Sequence, residues 1–262
     1  MTRSSYRLTA VGSGKGGTGK TFVALTLAHF FAAAGETVLL LDADFGLANA
    51  SVQLGLGHAG DLPGLIAGRT PFAKAIVHVG AGKDGFDLIA APAGSGALAN
   101  AGETIADKLL AVLCNARNYD RIVIDLPAGV GAGTMTLAAH ADDALVVTTP
   151  DPTAITDAYA FVKLMARRTG GRMPGIVVNM ATGEAEAKRT AGAVIRSADA
   201  FLKNKPDYLG FVPQDGAVGE AIRRQKTLTT YAPDSPAATA LGALAETLGG
   251  ESRKRQSATS LR

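Results

Sequence analysis

Eight residues near the start of the chain, Gly14-Lys15-Gly16-Gly17-Thr18-Gly19-Lys20-Thr21, follow the spacing Gly, four residues, Gly-Lys-Thr. That spacing is suited to gripping phosphate. Its glycines let successive backbone N–H groups converge on phosphate oxygens, and a helix opening at the loop adds the partial positive charge of its N-terminus. Lys20 is placed to reach the β- and γ-phosphates of a nucleotide, and the Thr21 hydroxyl to complete the shell of a Mg2+ ion. Lys15 is a second cation inside the loop that the general pattern does not require; on charge alone it adds positive potential.

Acids stand where such a site needs them. Asp42 and Asp44 end an apolar run in Leu41-Asp-Ala-Asp-Phe-Gly, and Asp125 ends another in Asp125-Leu-Pro-Ala-Gly129. In open α/β sheets ligands lie at the carboxyl ends of strands, so all three acids belong beside the phosphate loop. A carboxylate there orients an attacking water or holds Mg2+ through its hydration shell. The plainer role for any one of them is a turn or helix cap. Gly129 leaves the segment after Asp125 free to move when a γ-phosphate is present.

Alternating strand and helix patterns have to position these groups. Apolar runs predict strands at 7–13, 37–42, 86–90, 121–125, 144–148, 175–179 and 208–212, and helical periodicity predicts helices at 21–34, 103–117, 153–168, 184–203 and 236–248. Val38-Leu-Leu-Leu41, Ile122-Val-Ile124 and Leu145-Val-Val147 are continuously apolar, as strands covered on both faces should be. The fold class is therefore α/β, a single doubly wound, mainly parallel sheet with helices on both faces. Leu241, Leu244 and Leu248 form a stripe read as core packing rather than a membrane face. The Ala- and Gly-rich stretch 91–102 reads as a mobile loop. Residues 1–248 are expected to form one domain, followed by a basic, disordered tail at 249–262 containing Arg253-Lys-Arg255.

Bulk composition narrows the classes. Apolar residues are 47% and charged residues 19% of 262, which suits a globular core and not a disordered chain. The single cysteine, Cys114, excludes a disulfide framework or a multi-thiolate cluster; its apolar neighbours Val112 and Leu113 point to a core thiol. The start lacks the apolar region of a signal peptide, and no uncharged run is long enough to span a bilayer, so the expected place is the cytoplasm. Residues 1–160 carry a balance of −4 and residues 161–262 one of +7. The basic half is either solvated surface or a face for anionic lipid or nucleic acid.

Taken together, Lys15-Gly-Gly-Thr-Gly-Lys-Thr21 resembles the deviant Walker A signature, and the chain resembles the MinD/ParA superfamily of P-loop NTPases over nearly its whole length. Asp42-Ala-Asp-Phe-Gly-Leu-Ala-Asn49 is similar to the switch I segment of the flagellar-number regulator (FlhG/FleN) branch. The run Thr149-Pro-Asp-Pro-Thr-Ala-Ile-Thr-Asp-Ala-Tyr159 is similar to one shared by that branch and cell-division MinD. Val177-Val-Asn-Met180 and Leu209-Gly-Phe-Val-Pro-Gln-Asp215 resemble the adenine-side loops. The resemblance implies ATP and Mg2+ as cofactors, slow hydrolysis stimulated by a protein partner, and a homodimer when ATP is bound. It implies that Lys15 reaches a partner's phosphates and that Lys20, Thr21 and the loop residues Gly14, Gly16, Gly17, Thr18 and Gly19 hold phosphate. Asp44 is the water-positioning residue, supported by Asp42 and Asp125; Thr21, Asp44 and Asp125 serve the metal. Asn179, Pro213 and Asp215 lie on the adenine side. A switch placing flagella or a division site follows, in the cytoplasm, with a peripheral position on the inner membrane face as the alternative. The N-terminal partner helix and the amphipathic C-terminal helix of such regulators are not evident. Two other functions fit the same fold: a partition ATPase binding DNA through Arg223-Arg224 and Lys226 or Arg167-Arg168, and an ATP-dependent cobyrinate or dethiobiotin type ligase.

Overall fold

Strands that are apolar at every position must be covered on both sides, and they occupy the middle of one sheet. The computed structural model describes residues 6–44, 49–57, 60–80, 82–91 and 102–259, without the side chains of 83 and 251–259. The first half runs β1 (Arg7–Gly12), α1 (Lys20–Ala33), β2 (Val38–Asp42), α2 (Asn49–Gln53), α3 (Leu62–Ile66), α4 (Phe72–Ala75), β3 (Val77–Val79), β4 (Phe86–Ile89), α5 (Glu103–Leu113) and β5 (Arg121–Asp125). It continues with α6 (Ala132–His140), β6 (Asp143–Thr148), α7 (Pro152–Arg168), β7 (Gly175–Ala181), α8 (Glu184–Leu202), β8 (Tyr208–Pro213), α9 (Gly216–Arg223), α10 (Leu228–Tyr231) and α11 (Pro236–Thr259).

The strand order is β3-β4-β2-β5-β1-β6-β7-β8. All neighbours are parallel except β3, which pairs antiparallel with β4 at one edge. Successive side chains of a strand take opposite faces. Leu39 and Leu41 of β2 accordingly pack with Leu109, Leu137 and Phe161 of α5, α6 and α7. Val38 and Leu40 join Leu27 and Phe31 of α1 and Leu241 of α11. The doubly wound expectation holds, and the Leu241, Leu244, Leu248 stripe is buried core.

Differences from the sequence reading have local causes. Strand β3 and helices α2, α3, α4 and α10 are three to five residues long, too short to show a period. Helix α6 is buried from Thr134 to Ala138, so it lacks the polar face that marks an amphipathic helix. Cys114 is exposed, not a core thiol. Helix α5 turns Ala106, Leu109 and Leu113 inward, and the residue after Leu113 falls about 100° round the helix, towards solvent. Helix α11 continues through Gly249 and Gly250 to Thr259, where a disordered tail was expected. A helix already nucleated by packing propagates cheaply through Arg, Lys, Gln and Ala. The expected loop at 91–102 lies outside the described residues between 92 and 101.

At the end of the sheet away from the phosphate loop, charges are buried in pairs. Arg121 is fully buried at the start of β5. Its guanidinium donates to Glu36 at 2.6 and 3.0 Å and to the Thr9 hydroxyl at 3.1 Å, and it lies 3.9 Å over the Phe31 ring. Arg7 pairs with Asp143 on the neighbouring strand end. This clamp ties β5 to the α1–β2 turn. Arg121→Ala should lower unfolding free energy in urea by about 3 kcal/mol, because Glu36 and Asp143 lose a buried partner. A loss under about 1 kcal/mol would show the network to be solvated.

Candidate functional site

Strand register brings the acids together. Asp42 pairs with Asp125 across β2 and β5, and Asp125 pairs with Val11 across β5 and β1. The three strands therefore finish level, beside the loop that carries the two lysines. The Ala43 N–H donates to the Asp125 carbonyl at 2.9 Å, and the Gly129 N–H to the Ser13 carbonyl at 2.9 Å, which fixes the strand ends to that loop. Lys20 is buried, with its ammonium 3.5 Å from Asp125 and 3.8 Å from Asp44.

Helix α1 is left open at its N-terminus. Gly19, its N-cap, has φ 83°, offers no capping side chain, and no acid follows in the first turn. The first N–H groups of α1 thus remain available to an anion. A Cβ on Gly19 would lie 2.3 Å from the Asn179 amide nitrogen, and one on Gly14 would lie 2.2 Å from the Asp157 backbone carbonyl of α7. Both positions demand glycine, and the second presses the loop flush against α7.

The remaining predicted residues divide. The Asp42 carboxylate accepts from the Asp44 N–H at 3.0 Å and the Ala50 N–H at 3.1 Å, so it braces the Asp44 turn and the start of α2. Residues 45–48 of the switch-like stretch lie outside the described residues. Asn179 is buried; its amide donates to the Thr18 carbonyl at 2.8 Å and its oxygen accepts from Met180 N–H at 3.0 Å. Asp215 accepts from Ala217 N–H at 2.8 Å and from Ala237 N–H at 3.1 Å, capping α9 and pinning α11 to it. Pro213 ends β8, and the next N–H, of Gln214, donates to the Ala181 carbonyl at 2.9 Å. Lys15 points away from the acids and donates to the Thr153 hydroxyl at 2.5 Å, 3.5 Å from Asp151, the N-cap of α7. Sequence reasoning missed Asp151 and Thr153 as partners of Lys15. An Asp directly before a Pro at a helix start was the available signal for the cap.

The electrostatics are unbalanced. Burial, and then the charge of Asp125, push the Asp42 carboxyl up to about 7. Burial also raises Asp125, opposed by the Lys20 charge. Neither oxygen of Asp125 has a hydrogen-bond partner among the described residues. A buried carboxylate that has an ion pair with Lys20 but no hydrogen bond among the described residues, beside Thr21, fits a hydrated Mg2+ between the protein and a triphosphate. Among the described residues no three His, Cys, Asp or Glu side chains form a metal cage. Mg2+ does not require one, since it keeps waters and shares phosphate oxygens.

A profile described as the CobQ/CobB/MinD/ParA nucleotide binding domain matches residues 9–228. The chain belongs to this family. The antiactivator FleN of Pseudomonas aeruginosa is 33% identical over 238 residues, covering 90% of this chain and 84% of FleN. The flagellum site-determining protein YlxH of Helicobacter pylori is 29% identical over 88% of this chain and 78% of YlxH. Among solved structures, the cell division ATPase MinD of Pyrococcus furiosus superposes with a TM-score of 0.76 at 26% identity, covering 93% of this chain and 98% of that one. The resemblance to the MinD/ParA superfamily and its flagellar-regulator branch agrees with these findings. No helix among the described residues of this MinD/ParA family member is long and apolar enough to cross a membrane.

A carboxyl raised on folding stabilises the fold at pH below its unfolded pKa of about 4. That contribution fades as pH rises through about 7, where Asp42 ionises. Without nucleotide, Asp125→Asn should therefore raise the thermal midpoint at pH 8 and flatten its fall between pH 5 and 8. An unchanged or lower midpoint at pH 8 would show that Asp42 and Asp125 do not repel in the free protein.

Proposed function

We propose that the chain is an ATP-driven dimerising switch that governs the number or placement of a cellular structure such as flagella or the division site. The observation that carries this reading is the separation of the two loop lysines. Lys20 is buried between Asp125 and Asp44, while Lys15 is partly exposed and held, among the described residues, by Thr153 and Asp151 at the start of α7. A simple phosphate grip needs the first. The second is placed to leave its own subunit and meet the phosphates of another. FleN, YlxH and the septum site-determining protein MinD of Bacillus subtilis, 34% identical over 64% of this chain, support a placement role.

The residues act in the following way. The loop from Gly14 to Gly19 and the open start of α1 bind the triphosphate, and Lys20 neutralises its β- and γ-oxygens. The Thr21 hydroxyl, Asp125 and Asp44 are the residues that would hold a Mg2+ ion, which when bound would supply neutralisation of the phosphate charge. Asp44 orients the attacking water, and Asp42 holds the Asp44 backbone in place. Asn179 and the loop from Pro213 to Asp215 flank the base. Hydrolysis is slow until a partner protein completes the site; a membrane surface and nucleic acid are the two surfaces the dimer could bind.

The partition reading has weaker support. Arg223 and Arg224 are already paired with Glu220, and Arg168 with Glu103 and Thr136. Glu220 offsets one of the two charges of Arg223 and Arg224, and Glu103 that of Arg168, so these cations would release fewer counterions on DNA than unpaired ones.

Lys20→Ala should weaken Mg·ATP binding roughly a hundredfold or more in calorimetry; undiminished affinity would overturn the site. Lys15→Ala should bind ATP but remain monomeric in light scattering, whereas Asp44→Ala should bind ATP and stay dimeric. A monomeric Asp44→Ala protein at saturating ATP would sink the switch. Liposome flotation and DNA gel shifts at varied salt separate membrane from nucleic acid as the surface bound.

A further inference from the structure

Val52 on α2 and Ile222 on α9 are large apolar side chains left in solvent, 58% and 37% exposed. Both sit on helices that acids of the nucleotide site hold by the first turn. The Ala50 N–H of α2 donates to Asp42 at 3.1 Å, and the Ala217 N–H of α9 donates to Asp215 at 2.8 Å. The helices have five and eight residues, so they span only about 8 and 12 Å at a rise of about 1.5 Å per residue. Their far ends meet. A Cβ on Gly55, just past α2, would lie 2.5 Å from the side-chain oxygen of Gln225, just past α9.

The seam between these helices is apolar in its middle and basic at its edge. Phe22, Leu25, Leu54 and Ile222 line a shallow dimple of about 20 Å³, and Lys226 forms part of its wall. Gln225 takes a left-handed φ of 55°, and the Lys226 N–H donates to the Ala221 carbonyl at 3.0 Å. That closing turn brings Lys226 back beside α9. Residues 216–231 carry Arg223, Arg224 and Lys226 against one acid, Glu220, a balance of +2, and residues 49–57 carry no charge. Glu220 pairs with the two arginines, while Lys226 makes no ion pair among the described residues.

An exposed aliphatic patch with surplus positive charge is complementary to a surface that is apolar along one stripe and acidic beside it. Nucleic acid would leave Val52 and Ile222 without a use. A bilayer is gripped by protruding aromatic rings, and Tyr231 of α10 instead lies under the Arg224 guanidinium, 5.5 Å from it. A dimple that admits only side-chain tips suits a helix laying aliphatic residues into it. We propose that the α2–α9 seam is the docking surface for the partner protein that stimulates hydrolysis, bound through an acidic amphipathic helix. This rests on the switch reading above and gives the partner a route to the nucleotide. Pressure on the far ends of two short helices is passed to Asp42 and Asp215, which hold their near ends, and the coupling is reciprocal.

The probe is a fluorescein-labelled helical peptide of about 18 residues, with Leu along one stripe at i, i+3, i+4 and i+7 and Glu elsewhere. Its controls carry Lys in place of Glu, or the same composition scrambled. In anisotropy titrations of the full chain with Mg·ATP, the Glu peptide should bind about tenfold tighter than either control, and about fivefold tighter than to nucleotide-free protein. Val52→Asp and Lys226→Glu should each weaken it about tenfold while leaving the thermal midpoint and basal ATP hydrolysis unchanged. Lys226→Glu should in turn gain affinity for the Lys peptide. The proposal is overturned if the three peptides bind alike or not at all, if the variants change nothing, or if nucleotide has no effect. It is equally overturned if Val52→Asp abolishes flotation with phosphatidylglycerol vesicles, binding of a DNA duplex, or dimerisation in light scattering, since the seam then serves a membrane, nucleic acid or a second copy. Failure of the wild-type protein to bind Mg·ATP or to dimerise with it is seen without any peptide and sinks the switch reading instead.

Discussion

The site is organised around two carboxylates that repel each other in the protein interior. Asp42 and Asp125 are register partners on adjacent parallel strands, both buried, and the ammonium of Lys20 lies beside Asp125. In a low-dielectric setting such a pair is expensive, and burial together with mutual repulsion keeps Asp42 from ionising over its usual range. The architecture holds the pair in place in spite of this. Backbone amides of Asp44 and Ala50 occupy the Asp42 oxygens, the Ala43 amide is tied to the Asp125 carbonyl, and the Arg121 clamp fixes the far end of β5. What stays unsatisfied is Asp125, the acid that faces Lys20. A divalent cation and a triphosphate would relieve that imbalance, so the fold stores at its centre a preference for being liganded.

The phosphate loop is also a mechanical junction. Gly14 is packed flush on the α7 backbone, Lys15 rests on the α7 cap, and Thr18 is tethered to the end of β7. Any change the loop undergoes reaches α7 and β7 directly. The Lys15 contacts are exposed and charge-screened, so they hold the side chain weakly and can be exchanged for a better anion. Such an arrangement is what a protein requires if nucleotide binding is to alter its outer surface.

Several side chains perform bracing where direct contact with a ligand was the simplest expectation. Asp215 joins two helix starts, Asn179 holds the loop, and Asp42 positions Asp44. Bracing and binding are compatible, because a donor or acceptor that is already fixed loses less freedom when a ligand arrives. The exposed Cys114 and the helical segment from Gly249 to Thr259 show the opposite case, in which local composition misled. Apolar neighbours in sequence do not share a helix face with the residue beside them, and a polar stretch follows a packed helix when its residues are good helix formers.

Sequence alone determined the phosphate loop, the three acids, the buried strands and the family. Each is a short-range pattern, legible from residue type and spacing. Only the tertiary structure decided which acid has no hydrogen bond to its carboxylate among the described residues, where Lys15 rests, and that Met180 is forced outward over Gly19. Those outcomes depend on strand register and on packing between segments more than a hundred residues apart, such as Lys15 with Thr153 and Thr18 with Asn179. No local pattern encodes such a meeting, since it is the closing of the sheet that selects which strand ends, and so which side chains, become neighbours.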